Sequence, residues 1–207
     1  MLSFKRLTGN LFAKRAIEVA AAGGFKVAFV AQDQIAASVL AEAASTLGAG
    51  FVYVLTPCPC GNLGTQRSCR CTPEEIRDHQ RKAPWRTALH EAEIWAIVSP
   101  PDAGELRTFL NGQEGESLPA VYRRVEVARR RYRENVEDIA QSLTANAREL
   151  LLKAADQFQF SWADVCAALK VAEAIRALTG EEKVEAAHVA EAVEYRPGRL
   201  QGHLIIA

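Results

Sequence analysis

The sequence predicts an α/β protein, in which a parallel sheet of about three strands carries a cysteine-rich insertion and precedes an all-helical bundle. Three observations predict this fold. Two short apolar runs, at residues 26–30 and 51–55, flank an Ala-rich helical segment, which is typical of a βαβ unit in a parallel sheet. Four cysteines directly follow the second run, within residues 57–73. Everything after Leu118 shows helical periodicity.

Composition favours a folded protein with no global preference for a polyanion. The chain has 207 residues, of which 49% are hydrophobic, and its formal net charge is zero. The N-terminus lacks the long apolar core of a signal peptide, and no apolar run approaches the roughly 20 residues that span a bilayer. We therefore expect a cytoplasmic protein, in which thiols stay reduced.

The first half of the chain contains clear start and stop signals. Asn10 is expected to cap a helix that ends before the glycine pair at residues 23–24, and a second helix ends at Gly48. Thr72, Pro73 and Glu75 form a capping-box pattern that begins a short helix over residues 72–82. Residues 93–98 are the third strand candidate. The Gly- and Pro-rich stretch that follows places a domain boundary at residues 99–120.

The second half predicts a bundle of four helices with short loops. One apolar stripe with three- and four-residue spacing runs from Val121 to Leu143. Asn146 and Ser161 are expected to cap the next two helices, and residues 184–195 form the last. The divisions are thus a core at 1–100, a linker at 101–120, a helical domain at 121–196 and a tail at 197–207.

The cysteines form two C-x-C pairs, and we interpret them as ligands of a structural zinc ion. The predicted ligands are Cys58, Cys60, Cys69 and Cys71. The usual ribbon spacing is C-x2-C, so free thiols or labile disulfides remain alternatives. Four protein ligands would leave no open position for catalysis. The fifth cysteine, Cys166, is expected to lie within a helix and to be buried in the protein core.

The loop after the first strand lacks the chemistry of a phosphate-binding loop. A P-loop reads G-x-x-x-x-G-K-[ST] at this position, but the chain reads AQDQIAAS at residues 31–38. It offers no glycine for close backbone approach and no lysine, and its one acidic residue would repel a phosphate. We therefore expect no ATP at these positions: Ala31, Gln32, Asp33, Gln34, Ala36, Ala37 and Ser38.

Two basic stretches, at residues 67–86 and 123–133, are candidate contacts to nucleic acid. The alternative, which we favour, is that they form the solvated faces of amphipathic helices. The candidate contact residues are Arg67, Arg70, Arg81, Lys82, Arg129 and Arg130.

These pieces together resemble the magnesium-chelatase-like AAA+ ATPases, in the ComM/YifB branch. Three stretches carry the resemblance: residues 13–30, the cysteine segment PCPCGNLGTQRSCRCTPEEIRDHQRK, and residues 169–196. The resemblance implies a reduced AAA+-like sheet and a C-terminal helical lid. It is a resemblance to a truncated and degenerate member, because the family's segment between Walker A and the cysteines, with Walker B, has no counterpart.

The departures from the family concern the groups that handle ATP. Ala37 occupies the position of the family's Walker A lysine, and Thr56 that of its polar sensor. Glu91 occupies the position of the arginine finger, and the lid arginine falls at about Ala167. ATP hydrolysis needs several of these groups placed at once. The resemblance therefore implies a pseudo-ATPase that is not an enzyme.

The family's sheet order, 5-1-4-3-2, implies that the three strands are neighbours and that residues 51–55 form an exposed edge. Such an edge must be covered, and the LIIA tail, a second subunit or a partner protein would serve. The first functional hypothesis is accordingly a zinc-stabilised scaffold or adaptor that binds a protein partner or itself. The second is a zinc-containing nucleic-acid-binding module, since ComM-type relatives act on branched DNA. An enzyme acting through unrecognised residues ranks last, because no nucleophile pairs with a base.

Overall fold

A three-stranded parallel sheet forms the centre of the computed structural model, which describes residues 2–200. Its strands are β1 (Val27–Ala31), β2 (Val52–Leu55) and β3 (Ile94–Val98). They lie in the order β2-β1-β3, with Val27 opposite both Val52 and Ile94. The predicted α/β fold with about three strands is confirmed, and so is the strand order implied by the resemblance.

Helices cover both faces of this sheet. The first half contains α1 (Leu11–Gly23), α2 (Gln34–Thr46), α3 (Pro73–Arg81), α4 (Trp85–Glu91) and α5 (Ala103–Leu110). The second half contains α6 (Leu118–Arg131), α7 (Val136–Ser142), α8 (Ala145–Gln157), α9 (Trp162–Thr179) and α10 (Ala186–Glu194), and a 3-10 turn follows at Pro197–Arg199.

Alternate residues of each strand enter two different apolar clusters, as the pleat requires. Val27 and Phe29 belong to the large cluster, which also includes residues of α1, α2, α6, α9 and α10. Ala28 and Val30 belong to a smaller cluster on the opposite face, with Trp85 of α4 and Leu200. The sheet is therefore the middle layer of three.

The helical second half shares its core with the sheet. Helix α1 packs against β3 on one side and against α6 and α9 on the other. The backbone N–H of Trp95 in β3 donates to the carbonyl of Tyr195, just after α10 (3.0 Å). Residues 101–120, expected as a linker, include helix α5, which begins at a capping box between Asp102 and Glu105. The division into domains stays a prediction, but the buried cluster runs through both halves.

The structure corrects several local predictions. The stripe from Val121 to Leu143 is two helices, because the chain leaves helical geometry at Tyr132 and Asn135 caps a new helix. Thr144 caps α8 in place of Asn146, by accepting from the N–H of Ala147. Hydrophobic periodicity alone does not reveal such a break between helices, because α6 and α7 both place apolar residues toward the core.

Strand β2 is an edge of the sheet. Within residues 2–200, no backbone hydrogen bond joins its outer side to another strand. Phe51, at the start of this edge, is 63% exposed. The LIIA tail, suggested as a cover for this edge, lies outside the described residues.

Candidate metal centre

The cysteine segment leaves the carboxyl end of β2, and helices α3 and α4 hold its first residues in place. The carbonyl of Thr56 accepts from the indole N–H of Trp85 (2.9 Å) and contacts the Nε2 of His79 (3.0 Å). The side-chain amide of Gln80, which is fully buried, donates to the carbonyl of Pro57 (2.8 Å). These bonds satisfy two backbone acceptors that would otherwise lie buried beside the first cysteine.

The predicted capping box sets the direction of α3. Thr72 accepts from the N–H of Glu75 (3.2 Å), and the Glu75 carboxylate accepts from the N–H of Thr72 (2.7 Å). Helix α3 begins two residues after Cys71, and its N-cap Thr72 directly follows that cysteine, so the second cysteine pair is anchored to a helix start. The C-x-C pairs are thus fixed at both ends, by β2 and by α3.

The four predicted ligands come together. The Sγ atom of Cys58 lies 3.5 Å from that of Cys60 and 3.7 Å from that of Cys69, and the Cys60 and Cys69 sulfurs are 3.6 Å apart. All four sulfurs, that of Cys71 included, lie within 4.8 Å of one another. A tetrahedral zinc ion with Zn–S bonds of about 2.3 Å needs sulfurs about 3.8 Å apart. The set fits a single ion, and all four cysteines are free thiols, not disulfides.

The electrostatics of the segment favour a bound cation. Backbone N–H groups of Arg70 and Asn62 lower the pKa of Cys60 to about 6. At Cys71 a backbone hydrogen bond from Cys60 also favours the thiolate, but burial and the neighbouring sulfurs outweigh it and raise the pKa to about 12. Thiolates so close repel one another, and a divalent ion removes that repulsion while it deprotonates its ligands.

The donor set determines what such an ion can do. Four thiolates in a tetrahedron select zinc or iron, and four protein ligands leave no position for water or substrate. Cys58 is fully buried, and its sulfur also accepts the N–H of Leu63 (3.4 Å). The four thiols could hold one metal ion, and an ion held by all four would have a structural role.

The loop after β1 is closed by bonds within the protein. The Asp33 carboxylate caps α2 and accepts from the N–H groups of Ile35 (2.9 Å) and Ala36 (3.0 Å). The N–H groups of Gln32 and Asp33 itself both donate to the carbonyl of Val98, at the end of β3. Donors that a phosphate loop would present to an anion are therefore engaged by the chain itself.

Gln32 joins this loop to the cysteine segment. Its amide nitrogen donates to the carbonyl of Leu63 (3.3 Å), and its amide oxygen accepts from the hydroxyl of Ser99 (3.2 Å). Asn10 stands at the N-cap position of α1 as expected, but its side chain forms no capping bond. It pairs instead with both backbone groups of Ser99 (3.0 and 2.9 Å). The carboxyl ends of the three strands are thus linked to each other and to the metal centre.

The remaining loop positions have structural roles. Ala36 and Ala37 are buried against the sheet, and Ser38 donates to the carbonyl of Gln34 one turn earlier (2.8 Å). Gln34 in turn donates to the carbonyl of Ala31 (3.4 Å). A lysine at residue 37 would have to place an ammonium in the core.

The two basic stretches differ in how their cations are used. Arg67, Arg70, Arg81 and Lys82 are exposed, and none forms an ion pair with any residue of the described part. Arg130 is likewise exposed. These positions stay candidates for a contact to a polyanion.

Arg129, another candidate contact, also has a role within the protein. Its guanidinium donates to the carbonyls of Ala21 (2.9 Å), Leu47 (2.6 Å) and Gly48 (3.0 Å). It therefore caps the carboxyl ends of α1 and α2 at once, where exposed carbonyls favour a cation. Periodicity placed it on a polar face but did not reveal that two helix ends meet there.

Glu91 and Ala167 stand where the resemblance places the arginine finger and the lid arginine. Glu91 is hydrogen-bonded within the protein, and Ala167 is buried. The Glu91 carboxylate accepts from the Tyr53 hydroxyl (2.6 Å) and from Lys26 (2.9 Å). Hydrogen bonds from Tyr53 and Lys26 lower the pKa of Glu91. Ala167 lies on α9 and is 9% exposed.

Sequence reasoning missed a buried ionic centre in the helical half. Glu173 on α9 is fully buried and pairs with Arg176 (2.7 Å) and Arg133 (2.9 Å). Arg176 also donates to the carbonyl of Arg131 (2.7 Å), at the end of α6. The only signal in the sequence was a charged residue on an otherwise apolar face of α9, which does not identify its partners.

One predicted core residue, Cys166, is partly accessible. It is half-buried beside Lys170 and Arg196, in a cleft between α9 and the start of β3. Trp162, the first residue of α9, is 84% exposed, whereas Trp85 and Trp95 are buried. No helix in the part of the chain described is both long and apolar enough to cross a membrane.

Comparison with known proteins bears on the helical half. Residues 115–196 match the family model described as magnesium chelatase, subunit ChlI C-terminal. The match covers helices α6 to α10, and no curated protein matches the chain. The helical part of this protein is therefore similar to the C-terminal domain of magnesium chelatase subunit ChlI.

Proposed function

We propose that this protein is a zinc-stabilised scaffold or adaptor that acts through protein–protein contacts and does not hydrolyse ATP. The observation that carries the proposal is the closed loop at the start of α2, where Asp33 occupies the N–H groups of Ile35 and Ala36. A carboxylate at that place repels a phosphate and also blocks the donors that would bind it.

The position of the metal centre supports the same function. It is tied through Gln32 to the loop after β1 and through Thr56 to α3 and α4. A closed four-thiolate site supplies rigidity and no reactive position. A rigid surface built beside a closed loop suits binding better than turnover.

The edge of β2 is the contact surface we favour. Phe51 is exposed there, and the outer backbone groups of the strand have no strand partner within residues 2–200. Such an edge accepts an extended segment from a partner protein or from a second copy of the chain.

The first experiment combines metal analysis with titration calorimetry. The purified protein should contain one zinc per chain, and titration with ATP and magnesium should give no binding heat. Micromolar ATP binding, or magnesium-dependent release of phosphate, would contradict the absence of ATP chemistry. Absence of metal would contradict the zinc-stabilised part.

The second experiment tests the edge. Phe51→Lys should abolish capture of the partner, or self-association, because a lysine on an edge strand disfavours pairing. Val127→Lys is the matched control, since Val127 is also exposed (48%) but lies on α6. Equal capture by both variants would rule out the edge as the contact surface.

A second candidate function, nucleic-acid binding, is favoured by the unpaired cations around the metal centre. Arg70 lies between the second pair of cysteines, and Arg81 ends α3, so both project from the rigid segment. Six arginines and lysines of residues 67–86 have no ion-pair partner in the described chain: Arg67, Arg70, Arg77, Arg81, Lys82 and Arg86.

Salt dependence tests this candidate. For duplex DNA, the double variant R70A/R81A should reduce the slope of log affinity against log salt by about 1.8, since each lost phosphate contact contributes about 0.9. Lys153→Ala, which removes an exposed cation on α8, should leave the slope unchanged. Affinity that does not fall as salt rises would exclude a phosphate contact.

A further inference from the structure

We propose that Cys60 is a site of reversible oxidation, where a hydroperoxide joins Cys60 to Cys69 and thereby opens the metal centre. The proposal rests on the four-thiolate centre proposed above, and it adds a reaction and an order of attack. Two observations carry it: the four cysteines differ in exposure, and their sulfurs lie close together.

The four sulfurs of the centre are not equally open to solvent. Cys58 is fully buried, Cys69 and Cys71 are partly buried, and Cys60 is the exposed member of the set. Cysteines that bind zinc are thiolates, and the thiolate is the form that reacts with an oxidant. When all four are thiolates, exposure decides which sulfur a peroxide reaches first, and it selects Cys60.

The local chain geometry keeps Cys60 open. Gly61, which follows it, has a left-handed conformation (φ 76°), and a Cβ atom placed on this glycine would meet nothing within 4 Å. The chain turns at this glycine beside empty space. A small oxidant therefore has a free approach to the exposed side of the cysteine pair.

Cys69 is the partner in reach. Its sulfur lies 3.6 Å from that of Cys60, and the sulfur of Cys58 is equally near at 3.5 Å. Cys58 is the poorer partner, because its sulfur is buried and accepts the N–H of Leu63. A bond between Cys58 and Cys60 would also have to close across a single intervening residue, whereas eight residues separate Cys60 from Cys69.

The reaction consumes one hydroperoxide for each disulfide. The Cys60 thiolate attacks the terminal oxygen, the O–O bond breaks, and the leaving alkoxide (hydroxide from hydrogen peroxide) takes up a proton. Cys60 is then a sulfenic acid. The Cys69 thiolate attacks the Cys60 sulfur, so the S–S bond forms, the S–O bond breaks, and hydroxide leaves and is protonated to water. The two thiolates together lose the two electrons that the peroxide gains.

Oxidation removes two of the four ligands of the centre. A disulfide sulfur is no longer a thiolate, and the two remaining cysteines cannot complete a tetrahedral site for zinc. The segment between Cys60 and Cys69 also includes Leu63, whose carbonyl accepts from Gln32 (3.3 Å). Loss of zinc should therefore loosen the link between this segment and the loop after β1.

Hydrogen peroxide added to the zinc-loaded protein tests the proposal. A metal-sensitive dye measures zinc release, and differential alkylation followed by peptide mapping identifies the oxidised cysteines. The parent should release one zinc per chain, form the disulfide between Cys60 and Cys69, and bind zinc again after a phosphine reductant and zinc are added. Cys166→Ser, which removes the half-buried thiol of α9, should release zinc at the rate of the parent.

Cys60→His tests the order of attack. A histidine nitrogen keeps a zinc ligand at this position but removes the exposed thiolate, so release should be at least about tenfold slower. Peptide mapping of the parent tests the same order without depending on how well this variant binds zinc.

The outcomes separate this proposal from the metal centre on which it rests. A zinc-loaded parent that keeps its metal in peroxide, or a disulfide that does not join Cys60 to Cys69, would overturn the proposal and leave the centre intact. Release from zinc-loaded C60H at the rate of the parent would do the same. A protein that holds no zinc before peroxide is added would contradict the centre itself, and the reaction with it.

Discussion

Replacing Arg129 with methionine should destabilise the protein by about 3 kcal/mol, although the neighbouring Arg130 can be replaced at almost no cost. The guanidinium of Arg129 donates to three carbonyls, at Ala21, Leu47 and Gly48. A hydrogen bond from a charged donor contributes about 1.5–3 kcal/mol when buried, but a third of this side chain is exposed (33%). We therefore assign about 1 kcal/mol to each bond.

The corresponding thermal shift follows from the size of the chain. With about 2.1 cal/mol/K of unfolding entropy per residue, 207 residues give about 0.43 kcal/mol/K. The loss then lowers Tm by about 7 °C. Methionine keeps much of the aliphatic packing, so the change reports the lost bonds and not a cavity.

Urea denaturation followed by circular dichroism, with thermal melts, measures both quantities. Arg130→Met is the matched control, because Arg130 is exposed on the same helix and should change stability by less than about 0.5 kcal/mol. If the two variants have the same urea and thermal unfolding midpoints, Arg129 does not stabilise the two helix ends.

Three further predictions concern the metal centre and the helical half. The double variant C58S/C60S should lose its zinc and melt below the parent, whereas Cys166→Ser should keep both metal content and Tm, as measured by metal analysis and calorimetry. Gln80→Ala leaves its buried carbonyl partner in the cysteine segment unsatisfied, and should cost about 1–3 kcal/mol in a urea titration; no change would mean that the bond does not support the segment. Burial alone would raise the pKa of Glu173, but the two arginines paired with this carboxylate outweigh burial and lower the pKa. The ionised form of Glu173 therefore stabilises the fold above its unfolded pKa. That contribution is lost as pH falls through the lower folded pKa. Parent and E173Q should therefore differ in stability at pH 7, and the difference should shrink as pH falls below the ordinary carboxyl pKa of 4.5 and vanish below the lowered folded pKa. A difference that does not shrink in acid would argue against this ionic centre.

The clustering of the four cysteines could be predicted from the sequence because the information that specifies it is local. The two C-x-C pairs, the strand before them and the capping box after them lie within one continuous stretch. The side chains that support it could not be predicted in the same way. Gln80 and Trp85 reach back across more than twenty residues to the carbonyls of Pro57 and Thr56, and nothing in their own neighbourhood indicates that contact.

Long-range contacts also explain where local predictions and structure differ. Asn10 stands at the N-cap position of α1, but the end of β3 lies close enough for Ser99 to pair with both polar groups of its side chain. Asn146 carries the same signature, yet Thr144, whose N–H donates to the distant carbonyl of Val184, caps α8 instead. In each case the local preference was real, and a partner distant in sequence decided the outcome.

The closed start of α2 also limits what a single substitution in this loop can do. A lysine at Ala37 alone would not create a nucleotide site. The lysine would enter a buried position, the Asp33 carboxylate would still hold the first N–H groups of the helix, and the carbonyl of Val98 would still hold the loop. A phosphate would therefore meet a carboxylate and occupied backbone donors even after that substitution, and the added lysine would lower stability because its ammonium group would be buried.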